Sequence, residues 1–336
     1  MTTPPVHQQR ILNRRSLLTA SAAVGLGALS RPALANTVNG IVLGKDGWLF
    51  AQWDAQGMVS LDRVRRMVAL IVETAGILRR SGVEMAVSIP PSRARTYRDF
   101  LPDGMRIAAP ADQRLSLALR DLRAAGLVAP DLYALFTRFR AASPNDPLFF
   151  RADTHWTPQA AEAAAVEVAR AIQERHSFPP PSRPASALPE PTRMQHVNDL
   201  ASMLPAADRA RYPTQPFNVR QANALFGGAA LLDEEASDIT VVGSSFMHPR
   251  YGFSAMLSHE LARPVGLTWA VHQNGPYRTL LEHLNGEGFK RHRPKLVVWN
   301  ILELDLESMP DRADIWRNNA MSAPNFLAEV RRTVEA

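Results

Sequence analysis

Asp153 and His155 stand two residues apart in the stretch ADTHWTP, residues 152–158. A hydroxyl nucleophile needs such a pair: an imidazole to take its proton and a carboxylate to orient the imidazole. The same residues also read as an ordinary helix start. Thr157 can accept a capping bond and Pro158 suits a first turn, where no donor is required. Asp153 would then cap a turn and His155 would be a satisfied polar residue. Alone, the two readings weigh evenly, and a nucleophile elsewhere decides between them. In TVVGSSFMHPR, residues 240–250, an apolar run ends at Gly243 and Ser244 and Ser245 follow at once. A serine there can project from a sheet edge, with backbone N–H groups nearby to hold an oxyanion. The stretch is not a G-x-S-x-G elbow, because position 247 is Met, and a lone Gly-x-Ser is more often a capped turn. His248 could approach the same crevice.

Other chemistries find less support. The chain has no cysteine, which excludes thiol catalysis and thiolate metal sites. His196, His259, His272, His283 and His292 have no carboxylate at metal-ligand spacing. SHELAR begins like a zinc-binding helix, but Arg263 stands where H-E-x-x-H needs its second histidine. The glycines around Gly286 lack a phosphate-loop context. No metal, cofactor or nucleotide is expected.

The elements that must position these residues are legible in the apolar pattern. Val64, Met67, Val68, Ile71, Ala75 and Leu78 recur at helical spacing from Leu61 to Arg80, and Ser81-Gly82 stops that helix. VEMAVSIP follows as a buried strand. Gln113–Ala125 and Thr157–Arg175 read as helices. LVAPDL, SDITVVGSSF, LTWAVHQNG and PKLVVWN read as further strands, and GKDGWLFAQWD as a turn and short strand. Short apolar strands interleaved with helices predict a three-layer α/β/α sandwich with a mostly parallel sheet, its ligand site beyond the strands' carboxyl ends. Residues 178–191, FPPPSRPASALPEP, form a Pro-rich excursion.

Residues 1–35 read as an export signal, with paired Arg14-Arg15, an apolar stretch from Leu17 to Leu29 and a final Ala33-Leu34-Ala35. The paired arginines suggest the twin-arginine route, with an uncleaved anchor or a chance basic start as the other readings of the segment. The chain carries a formal charge of +6 over 336 residues. Arg10, Arg14, Arg15 and Arg31 all lie in the signal, so the mature part is nearly balanced and gives no argument for nucleic acid. An exported, soluble periplasmic protein is expected, acting as a monomer.

Several blocks together resemble one family, the SGNH-hydrolase-like domain of alginate O-acetyltransferases of the J and X types. They are GKDGWLF, SIPPSRARTY, FFRADTHWTPQAA, NDLASML, VVGSSF, NGPYRTLLEHL and PKLVVWN. They occur in the family's order and cover nearly all of residues 36–336, which the resemblance makes a single domain. It implies a Ser-His-Asp triad in permuted chain order, with Ser245 as nucleophile, His155 as base and Asp153 as orienter. Ser244 is the alternative nucleophile. The resemblance also implies acetyl transfer to hydroxyls of an exported polysaccharide, with an inner-membrane O-acyltransferase supplying the acetyl group. The oxyanion would rest on the Ser245 N–H and a donor from the Asn274-Gly275 turn. Tyr251 and Tyr277 would line the acceptor groove, with core packing near helix starts as the equal alternative for both. An acetyl esterase and a non-catalytic polysaccharide-binding component are the other readings. Two departures stand out: Asn300 replaces the family's Glu after the last strand's Trp, and Leu304 stands near its Arg.

Overall fold

A computed structural model of the chain describes residues 36–335 apart from 56, 182–183, 186 and 221–236. The export signal expected at 1–35 lies outside the described residues. The described strands are β1 (Thr37–Val38), β2 (Ile41–Leu43), β3 (Leu49–Ala51), β4 (Glu84–Ser88), β5 (Thr192–His196), β6 (Gln215–Val219), β7 (Ile239–Gly243), β8 (Val265–Trp269) and β9 (Leu296–Asn300). β1–β3 form an antiparallel meander and β5 pairs antiparallel with β6. The central sheet is parallel throughout, in the order β4-β9-β7-β8.

Alternation along these strands assigns the two faces. Ala86, Val298, Val241 and Leu267 stand in register and enter one buried cluster, while Met85, Val87, Val297, Trp299 and Val242 enter another. Each fully buried Val, Leu or Phe contributes about 1.5–3 kcal/mol relative to exposure, so slipping a strand by one residue would exchange these sets at great cost.

The longer helices are α1 (Leu61–Arg80), α2 (Ala109–Ala124), α3 (Leu132–Ala142), α4 (Pro158–Gln173), α5 (Phe253–Glu260), α6 (Gly275–Asn285) and α7 (Ala323–Glu335). α1, α2, α6 and α7 cover one face; α4 and α5 pack together on the other. The result is a three-layer α/β/α fold. Ser60 caps α1 by accepting from the Arg63 N–H at 3.3 Å, and Gly82, at φ +83°, takes the left-handed turn after it. Thr157 caps α4 through the Ala160 N–H at 3.4 Å, with Pro158 in the first turn. Buried Ala160, Ala161, Ala164 and Ala165 let α4 lie close on its neighbours.

LVAPDL differs from the expected strand. Val128 makes one parallel bridge to Ala86, and its carbonyl accepts from Val87 at 2.8 Å. Pro130 then has no N–H to continue the ladder, and Asp131 caps α3 by accepting from the Ala134 N–H at 2.9 Å.

The parallel arrangement sets the location of the chemistry. Ser88, Asn300, Gly243 and Trp269 end their strands on one edge of the sheet. The segments leaving that edge carry Pro90–Arg93, Leu302–Leu304, Ser244–Ser245 and Val271–His272.

Candidate active site

Ser245 opens a short 3-10 turn, Ser245–Met247, directly after β7. Gly243 permits the turn: a Cβ there would stand 2.7 Å from both the Asn300 Cβ and the Met247 Cγ. The Ser244 hydroxyl turns back to accept from the Phe246 N–H at 3.4 Å, and Ser244 borders a separate small cavity. Ser245 faces the cleft instead, with its Oγ 2.9 Å from His155 Nε2.

His155 sits on a tight loop closed by an antiparallel bridge between Phe149 and Trp156. Arg93 holds that loop from inside. Its buried guanidinium donates to the carbonyls of Phe150, Arg151 and Asp153 and lies over the rings of Trp48 and Phe50. Burial lowers the Arg93 pKa to about 10, with Asp153, Asp54 and Asp199 opposing that fall, so it remains charged at neutral pH. Trp156 ties this loop to the serine turn: its Nε1–H donates to the Phe246 carbonyl at 2.9 Å. That bond fixes the spacing between His155 and Ser245.

Asp153 is buried, and both its oxygens are engaged. Oδ1 accepts from the His155 backbone N–H at 2.8 Å and lies 2.7 Å from His155 Nδ1. Oδ2 accepts from the Asp199 N–H at 2.7 Å, and His196 Nε2 stands 2.9 Å away. Burial works to raise this carboxyl, but His155 and His196 outweigh it and hold it well below the usual carboxylate range. His196, at the end of β5, stacks on Phe150 at 3.8 Å. Asp199 accepts from the Thr154 N–H at 2.7 Å and from the Thr154 hydroxyl, and its Oδ2 lies 3.7 Å from His155 Nδ1. Burial first, and the Asp153 charge second, push the Asp199 carboxyl up. Asp153, His155 and Asp199 each bring one ligand-type atom within 4.8 Å of the others. In this arrangement those atoms are spent on one another and on neighbouring N–H and O–H groups.

Other expected site residues fall elsewhere. Tyr251 is buried behind the imidazole, 5.5 Å from His155 in a near-parallel stack, rather than on a groove wall. Burial pushes its phenol above the usual range. Tyr277 lies in the core, donating to the Ser308 carbonyl at 2.6 Å among Trp299, Trp316 and Phe326. Asn274 spends its amide on Thr279 and Glu282 of α6, at 3.1 and 2.9 Å. Gly275, at φ +77°, packs on Trp316 and borders the small cavity beside Ser244. The chain has turned into α6 by this point, so Val271, His272 and Gln273 line the cleft in place of the Asn274-Gly275 turn. His248 caps a turn, accepting from the Arg250 N–H at 3.1 Å. Burial lowers its pKa to about 4 and keeps the ring neutral.

The cleft has a volume of about 380 Å³ and contains Ser245 and His155. A larger groove of about 1100 Å³ runs past Trp48, Arg140 and Phe217 but contains neither. Trp53, half-exposed, stands on the wall of the smaller cleft, and Leu304 is part of its lining. Asn300 ends β9 with its Nδ2 3.4 Å from the Ser88 carbonyl, tying two strand ends together beside the serine turn. Glu303 is buried below the cleft, paired with Arg95 at 2.7 Å and Arg114 at 3.2 Å, and accepts from the Ser92 N–H at 2.7 Å. Burial opposes its ionisation, but the two guanidiniums and the bond from Ser92 hold its carboxyl below the usual range.

Among the described residues, no helix is long and apolar enough to cross a membrane. The family model "SGNH hydrolase-like domain, acetyltransferase AlgX" matches residues 41–303. The chain is 30% identical over 286 residues to the probable alginate O-acetylase AlgJ of Pseudomonas aeruginosa, covering 81% of this chain and 72% of that one. It is 25% identical over 273 residues to the alginate biosynthesis protein AlgX of the same organism, covering 77% of this chain and 55% of AlgX. The solved O-acetyltransferase domain of Pseudomonas putida AlgJ superimposes with a TM-score of 0.65 at 25% identity, over 88% of this chain and 99% of that domain. The chain therefore belongs to the SGNH hydrolase-like acetyltransferase domain family of AlgX and AlgJ.

Proposed function

We propose that the chain is an O-acetyltransferase that moves acetyl groups onto hydroxyls of an exported polysaccharide through an acetyl-Ser245 intermediate. The observation that carries this reading is the unbroken relay from Asp153 Oδ1 to His155 Nδ1 at 2.7 Å and from His155 Nε2 to Ser245 Oγ at 2.9 Å. With Asp153 ionised, the Nδ1 proton stays on the side of the carboxylate, and Nε2 presents its lone pair to the serine hydroxyl.

In the first half-reaction, Ser245 Oγ attacks the acetyl carbonyl of the donor as His155 Nε2 takes the hydroxyl proton. The tetrahedral oxyanion rests on the Ser245 N–H, the first donor of its turn. Its collapse expels the donor oxygen or sulfur, which receives the proton from His155. In the second half-reaction, a sugar hydroxyl gives its proton to His155 Nε2 and attacks the acetyl carbonyl of acetyl-Ser245; the bond from Ser245 Oγ to the acetyl group breaks, Oγ takes that proton from His155, and an O-acetyl sugar leaves. Trp53 offers an exposed ring face against which a sugar can lie. A periplasmic location, with an inner-membrane O-acyltransferase supplying acetyl groups, completes the reading. Alginate is the acceptor suggested by the names of the relatives.

The test is product analysis with an activated acetyl ester, with and without an oligosaccharide acceptor. The proposal expects O-acetyl sugar to exceed free acetate when acceptor is present. Acetate as the sole product at saturating acceptor would mark an esterase.

A further inference from the structure

The cleft contains a second Asp–His pair. His272 and Asp305 come from the segments leaving β8 and β9, and His272 Nε2 stands 2.9 Å from Asp305 Oδ1. Asp305 is buried, whereas the His272 side chain is 43% exposed on the cleft wall. Trp316 backs the imidazole at 5.5 Å and limits its rotation. With Nε2–H donated to Asp305, Nδ1 is left without a protein partner among the described residues.

The other cationic groups lining the cleft are committed, and its carboxylates are paired or buried. Arg93 is buried under three backbone carbonyls. Glu303 is neutralised by Arg95 and Arg114. His155 is held between Asp153 and Ser245. Asp199 accepts from Thr154, and Asp54 accepts through Oδ2 from the Ala94 N–H at 2.9 Å while its buried Oδ1 has no protein partner among the described residues. Asp54 and Asp199 set an acidic field that an anionic ligand would meet at a cost. Once protonated, His272 is the cationic group with an unspent donor, its Nδ1–H, that such a ligand would meet in the cleft among the described residues.

We propose that His272, oriented by Asp305, is the specificity-determining residue of the cleft and donates its Nδ1–H to the carboxylate of an acidic sugar in the acceptor chain. This rests on the polysaccharide acetyltransferase reading above and names the side chain that makes the site prefer a uronate over a neutral sugar. Asp305 acts as a positioning residue: it fixes the tautomer and raises the pKa of His272 above its ordinary value. Protonated His272 donates to the carboxylate. Deprotonated, it turns the Nδ1 lone pair on the same oxygens. Affinity for an acidic acceptor should therefore hold at low pH and fall as pH rises through the raised pKa, while affinity for a neutral acceptor follows no such curve.

The experiment measures acceptor KM for a uronate oligosaccharide and for its carboxyl-reduced counterpart across pH. It uses the full chain, with acetyl-Ser245 formation read separately. A charge-assisted bond predicts a preference of about tenfold to a hundredfold for the uronate. His272→Gln should bring the two KM values together. Asp305→Asn should move the pH at which uronate KM rises to a lower value, a shift that simple loss of packing would not give. Equal KM values in the parent chain, an unchanged preference in His272→Gln, or an unmoved inflection in Asp305→Asn would overturn the assignment of His272 while acetyl-Ser245 still forms. Absence of acetyl-Ser245 from the parent chain would overturn the underlying reading and this one with it.

Discussion

Asp153→Asn tests the relay at its least exposed point. The carboxylate accepts from His155 twice through Oδ1 and from the Asp199 N–H through Oδ2, with His196 also against Oδ2. An asparagine cannot accept at both positions. If its NH2 takes the Oδ1 place, it faces two donors of His155. The ring then relieves the clash by carrying its proton on Nε2, where it can no longer take one from Ser245. If the NH2 takes the Oδ2 place, it opposes the Asp199 N–H in a buried setting, and the loop must shift. Wrong-tautomer asparagine variants of such triads lose about 10⁴-fold in turnover, on the order of 5 kcal/mol of transition-state stabilisation. Asp199 Oδ2, 3.7 Å from His155 Nδ1, is a partial substitute, so Asp153→Asn with Asp199→Asn should fall further than Asp153→Asn alone. The assay is the rate of acetyl-enzyme formation from an activated acetyl ester, with circular dichroism to show that the fold persists. A folded Asp153→Asn variant within tenfold of the parent rate would refute the orienting role.

Ser245→Ala should abolish acetyl-enzyme formation, whereas Ser244→Ala, which loses only a bond to the Phe246 N–H, should keep most of it; the same ester assay separates the two. Trp156→Phe removes the Nε1–H that meets the Phe246 carbonyl. It should lower turnover by about one to two orders of magnitude, as small misplacements of reacting groups do, with KM for the ester little changed in steady-state kinetics. Glu303→Ala leaves Arg95 and Arg114 buried without their shared partner, and denaturant unfolding should show a loss of about 3–5 kcal/mol. Burial lowers the pKa values of His248 and His283 to about 4 in the folded chain. The unfolded chain, with ordinary histidines near 6.5, binds more protons between those limits. Thermal unfolding should therefore move to lower temperature as pH falls from about 6.5 toward 4, and His283→Phe should weaken that dependence.

Local rules carried much of this molecule, and their reach explains where they stopped. Thr157 and Pro158 announce a helix start by chemistry confined to one turn, and α4 begins there. An apolar strand ending in Gly243-Ser244-Ser245 is visible because turn and strand are adjacent. Residues that act across the fold left weaker marks. Arg93, Trp156, His196 and Asp199 are each bonded or packed to the loop or turn of the relay, yet their partners lie up to 90 positions away. HVNDLASM carries a histidine and an aspartate three residues apart, which was the available hint for His196 and Asp199. His272 lacked a neighbouring carboxylate in sequence because its partner, Asp305, is 33 residues on. Asn274-Gly275 reads as a turn, and the packing of Gly275 on Trp316 is a tertiary fact. The affinity of aromatic rings for sugars favours a groove role for Tyr251 and Tyr277, but a ring needs an exposed face for that; both are buried, in keeping with the alternative of core packing. Trp53, by contrast, is half-exposed on the cleft wall.

Everything in the proposed reaction passes through Ser245, which carries the acetyl group between donor and sugar. Mass spectrometry of the chain quenched in acid after brief exposure to an activated acetyl ester tests it directly. One acetyl group is expected on Ser245, discharged when a polysaccharide acceptor is added before the quench and recovered as O-acetyl sugar. An unmodified Ser245 peptide in a chain that still transfers acetyl, or an acetyl group on Ser244, would contradict it.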